Sequence, residues 1–188
     1  MENEFLHDRK RALEEEFFRK QDAQLVERLR AGRARQTAKQ ALAEASGITD
    51  DGTLERLVDL GVDAEAFLAL ELVPLVEVAW ASGRIEPPER EAILARLRDK
   101  GLAPGSVPHG LVESWLATPP SPRMLEAWAA YTAALCGTMP PAERERVRST
   151  VMGLARSVAA AAGGVLGVGK VSAAEEEMLR RLDAVFAG

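Results

Sequence analysis

Apolar positions along this chain recur at three-, four- and seven-residue spacings, and no stretch alternates polar and apolar over the length of a strand. Ala, Leu, Glu and Arg dominate, and they are strong helix formers. The pattern predicts an all-α protein. Residues 3–31 read as one long charged helix whose Leu6, Leu13, Phe17, Phe18, Leu25, Val26 and Leu29 leave a narrow apolar stripe. Gly32 is expected to interrupt it, with the helix resuming up to Gly47. Residues 1–47 thus form a charged N-terminal helical arm, and residues 48–188 a compact helical bundle.

Within the bundle, Asp63 is placed to cap a helix running through AEAFLALELVPLVEVAWAS. That helix is apolar on nearly every face, so it should be central and buried, with Pro74 bending it. Further helices are expected at about 87–100, 107–117, 122–136, 141–162 and 173–186.

A junction recurs three times, as GRIEPPERE (83–91), GTMPPAERE (137–145) and GKVSAAEEE (169–177). Gly83, Gly137 and Gly169 should end the upstream helix in a left-handed C′ conformation. Pro87 and Pro141 fall at the first helical position, where a missing N–H does no harm. Glu89, Glu143 and Glu175 fall at the third, where a carboxylate reaches back to the cap; Ser172 with Glu175 makes a full capping box.

Composition narrows the chemistry. The 188 residues carry 24 Lys and Arg against 29 Asp and Glu, a net charge of −5, which argues against a nucleic-acid binder. A single cysteine, Cys136, excludes an internal disulfide framework and a multi-cysteine zinc site. The charged start lacks the apolar stretch of a signal peptide, and no apolar run approaches a membrane span, so a cytoplasmic protein is expected. The arm is nearly neutral, with 10 basic and 9 acidic residues among positions 1–46.

No catalytic constellation emerges. Asp50, Asp51 and Gly52 lack the alternating ligands of a calcium loop and read as a helix cap. Gly164 to Lys170 has P-loop spacing, but Val171 replaces the Ser or Thr and the preceding segment is helical. His7 and His109 stand apart from any second ligand, with His109 expected to be partly exposed. Cys136 reads as a small core residue and the three tryptophans as packing, Trp115 being the one expected near the surface.

The segment through VEVAWASGRIEPPEREAIL, with the tail GGVLGVGKVSAAEEEMLRRL, resembles the TerB-like family named for tellurite resistance, over roughly residues 60–188. The resemblance implies a compact all-helical bundle, a non-enzymatic and stress-associated role, and a divalent metal held by acidic residues near the first junction. Gly83, Ile85 and Glu89 match the family's Ala-Asp-Gly-x-[Ile/Val]-x-x-x-Glu junction, whereas Ser82 stands where the family has Asp. Glu77, Glu86 and Glu89 are the candidate metal ligands under that reading. The opening helix is similar to that of small ATPase-inhibitor subunits, which implies a regulatory or inhibitory partner. Leu13, Phe17, Leu25 and Leu29 are the candidate interaction residues, for a protein partner or for self-association.

Overall fold

The computed structural model describes residues 2–161 and 171–187, with side chains from residue 19 onward apart from Asp22. Among the described residues there is no strand, and the protein is an all-α bundle. No helix among them is long and apolar enough to cross a membrane.

Helix α1 runs from Glu2 to Ser46 without a break. Gly32 lies inside it and does not interrupt it. Ala31, Arg30, Arg33 and Ala34 are strong helix formers, and the roughly 1 kcal/mol that glycine costs a helix does not outweigh a 45-residue run. The chain divides into two compact units, Met1–Gln40 and Ala41–Gly188. The second unit therefore begins within α1, seven residues before the expected start of the bundle at Ile48, and Leu42 is already fully buried.

The second unit holds eight further helices among its described residues. Helix α2 spans Asp51–Asp59, and Asp50 Oδ2 accepts from the Thr53 N–H at 2.7 Å, so the acidic turn is a cap. Helix α3 spans Ala64–Leu70, with Asp63 Oδ1 accepting from the N–H groups of Glu65 (3.0 Å) and Ala66 (2.7 Å). Helix α4 spans Val73–Trp80. One helix bent at Pro74 was expected; instead the chain turns at Glu71–Leu72, and Pro74 falls in the first turn of α4. There an absent N–H leaves no helical acceptor unpaired, so the proline starts a helix in place of bending one.

Helices α5 (Pro87–Asp99), α6 (Val107–Ala117), α7 (Pro122–Thr138), α8 (Pro141–Ala161) and α9 (Ala173–Ala184) follow, and a 3-10 turn at Val185–Ala187 closes the chain. Val73, Leu75, Val76, Val78 and Ala79 are all buried, which makes α4 the central helix. It packs on α5, α7, α8 and α9; α5 packs on α8, α3 on α6, and α2 on α7. Two directional contacts fix corners. The Trp80 indole N–H donates to the Trp115 carbonyl at 2.7 Å, and Arg148 reaches both Asp183 oxygens at 2.7 and 2.9 Å, tying α8 to α9. Trp115 is buried, not near the surface, because its backbone carbonyl serves that indole while its ring joins the core. His109 is buried as well, correcting the expected partial exposure, with Nδ1 3.4 Å from Glu113 Oε2. Cys136 is buried, as a core residue should be, and burial pushes its thiol pKa up.

The three junctions diverge. Gly83 adopts φ +92°, the left-handed conformation expected of it. Gly137 does not: it lies within α7, which runs on to Thr138 before Met139 turns extended. Gly169 lies outside the described residues. A Cβ at Gly83 would meet nothing within 4 Å, so replacing it tests backbone conformation alone. Gly83→Ala is expected to destabilise by about 1–2 kcal/mol, the cost of a left-handed L-residue. Gly137→Ala should stabilise by about 0.5–1 kcal/mol, as in any helix interior. Urea unfolding of the two variants checks both signs.

Candidate functional site

The N3 glutamates are where the structure concentrates its unusual chemistry. At the start of α5 the Glu86 N–H donates to Glu89 Oε2 at 2.7 Å. At the start of α9 the Ser172 N–H donates to Glu175 Oε2 at 2.6 Å, while the Glu175 N–H donates to Ser172 Oγ at 3.2 Å. Both carboxyls thus cap their own helices, as their positions predict. The middle junction differs. Its cap position is Pro140, which has no N–H, so Glu143 has nothing to reach back to and is exposed in the first turn of α8.

Capping normally leaves the second carboxylate oxygen in water. Here it does not. Glu89 is fully buried and Glu175 is 5% exposed, and the Glu175 carboxyl is near enough to raise the Glu89 pKa. Glu89 Oε1 is buried with no N–H or O–H donor, which an ionised carboxylate can sustain only at a cost of a few kcal/mol. Burial pushes the Glu89 pKa up to about 7; the Glu86 N–H opposes this, and Glu175 and Glu86 reinforce it. Protonation of Glu89 removes one of two neighbouring like charges and spares a buried carboxylate oxygen that has no donor.

The expected rim of Glu77, Ser82 and Glu89 is dispersed. Glu77, half-buried on α4, lines a cavity of about 420 Å³ together with Glu126 of α7 and Arg181 of α9. Burial raises its pKa, and the positive charge of Arg181 draws it back. The Ser82 hydroxyl donates to the Arg84 carbonyl at 3.0 Å, and the Glu86 carboxylate is held by Arg84 Nε at 2.6 Å. A hard divalent cation takes six or more oxygen ligands, among them carboxylates, carbonyls and waters. Among the described residues no group of three or more His, Cys, Asp or Glu side chains is placed to hold a metal ion. The donors assembled here do not fit one: Glu89 and Glu175 each spend an oxygen on a helix cap, and Glu86 is taken by an arginine.

On the arm, Leu25 (56%), Val26 (45%) and Leu29 (58%) are exposed. The side chains of Leu13 and Phe17, and the glycine-rich segment 164–170, lie outside what the structure describes. Arg181, which faces Glu77, went unnoticed in the sequence because no local spacing joins residues on α4 and α9. Set against known proteins, the chain matches no family model, no curated sequence and no solved structure.

The carboxyl pair has a pH signature. Folding raises the Glu89 pKa above its ordinary 4.5, so between about 4.5 and 7 the folded state binds a proton the unfolded state releases. Its contribution to stability is present below 4.5 and lost as pH rises through about 7, by roughly 3 kcal/mol in all. Glu89→Gln keeps an acceptor for the Glu86 N–H and supplies a permanent donor toward Glu175. The variant-minus-wild-type difference in unfolding free energy, measured by urea titration from pH 4.5 to 8, is expected to move in favour of the variant across that window.

Proposed function

We propose that this protein is a non-enzymatic, TerB-like interaction domain, with a stress-associated role, that pairs with a second copy of itself through its N-terminal helix. The TerB-like part of this reading is supported by the α4–α5 hairpin, which turns at Gly83 and buries Glu89 at the start of its second helix. The observation that carries the interaction role is the exposure of Leu25, Val26 and Leu29 together on a 45-residue helix. At about 1.5 Å per residue that helix is roughly 65 Å long, and helices of such length gain most of their stability from packing an apolar face. The stripe is too narrow for a core helix and suits a two-helix seam. A second copy is the favoured partner because the arm's charges nearly cancel, so two arms meet without net repulsion.

The pairing is tested in the full chain by Leu25→Glu with Leu29→Glu. Removing two leucines from each side of a seam forfeits about 1.5–3 kcal/mol apiece, enough to raise the dissociation constant by a hundredfold or more. Sedimentation equilibrium should show a dimer for the wild type and a monomer for the double variant, with circular dichroism losing no more helicity than the arm contributes. A wild-type monomer, or a variant that dimerises as tightly, contradicts the reading.

A further inference from the structure

A second cavity, of about 400 Å³, opens between the start of α4, the end of α5, and the facing sides of α7 and α8. Its walls are apolar: Leu75, Trp128, Leu135, Val151 and Leu154 supply most of them. Leu75 and Trp128 are buried at its floor, 1% and 2% exposed, while Leu135, Val151 and Leu154 are half-buried along its sides. The residues that water reaches at the edge are of another kind. Arg96, Lys100 and Arg146 stand there with Glu71, three cations against one carboxylate. Lys100 is ion-paired with Glu71, and Arg96 donates to Asp99 Oδ2 at 3.0 Å. Arg146 is exposed and forms no ion pair among the described residues.

A chamber of this size lies at the small end of ligand-binding cavities; Tyr131, Thr132 and Thr150 add hydroxyls to its lining, and its charged groups are Glu71, Arg96, Lys100 and Arg146. Its apolar walls gain free energy by taking up hydrocarbon. The cationic edge selects the head group, because an arginine fork binds a carboxylate through two charge-assisted hydrogen bonds. We propose that this cavity binds a medium-chain fatty-acid anion, its aliphatic chain between α7 and α8 and its carboxylate at Arg146. The site lies wholly within the second unit and is independent of pairing through the arm.

The probe is decanoate, titrated into the full-length protein by isothermal calorimetry at neutral pH and below its micelle concentration. Saturable binding of one decanoate per chain is expected, with decanol at least about tenfold weaker and decyltrimethylammonium weaker still. Arg146→Glu should weaken decanoate binding by tenfold or more while leaving decanol affinity unchanged. Leu154→Trp, which fills the chamber, should abolish both; if that variant fails to fold, Arg146→Glu alone decides the matter. Absence of saturable decanoate binding overturns the proposal. So does equal affinity for decanoate and decyltrimethylammonium, or decanoate affinity unaltered in Arg146→Glu.

Discussion

Two glutamates, each bound to the first turn of its own helix, are forced to share one apolar space. Glu89 and Glu175 each give one oxygen to a backbone N–H that would otherwise be orphaned at a buried helix start. Neither side chain is then free to swing into water, and Glu89 Oε1 is left buried without a hydrogen-bond partner. Two ionised carboxylates in that position would repel, and the raised pKa of Glu89 relieves the conflict by favouring its neutral form. The starts of α5 and α9 are joined by this contact, and both helices pack on the central α4 or its neighbour α8. A hydrophobic pair at the same positions would pack as well but leave two N–H groups unpaired.

The central helix organises what surrounds it. Because α4 is apolar on almost every face, it is covered on all sides, and its polar exception, Glu77, opens a cavity instead of a core contact. At its other end, where Leu72 and Leu75 meet α7 and α8, the packing leaves the apolar chamber with the cationic edge. The buried carboxyl pair lines neither cavity. It caps and packs the bundle, whereas the exposed apolar side chains are the leucines of α1 and the cavities lie beside α4.

Much of the architecture was legible because it is local. Helix formers and apolar spacing identify the helices, and Asp50, Asp63 and Ser172 were recognisable as caps from the residues that follow them. Gly83 behaves as its junction requires, yet Gly137 in a nearly identical motif stays helical. The difference was in the sequence as well: Pro140 denies Glu143 the cap N–H that Glu86 and Ser172 offer their partners. Pro74 was misplaced because a proline within an apolar run fits equally a bend or a fresh start, and the turn at Glu71–Leu72 carries no glycine to mark it. The meeting of Glu89 with Glu175 was not legible at all. Eighty-odd residues separate them, and each already had a sufficient local role, so only tertiary packing shows that the two roles collide. The same holds for Arg181 opposite Glu77 and for the cations around the apolar chamber, whose partners come from different helices.

The central claim is that burial holds the Glu89 carboxyl protonated well above the ordinary carboxylate range in the folded protein. Carboxyl carbon-13 NMR of glutamate-labelled protein, with Glu89→Gln and Glu175→Gln used for assignment, reads that protonation directly. The account predicts that the Glu89 signal titrates with a midpoint near 7. An ordinary midpoint near 4.5 for Glu89 in the folded state would contradict it.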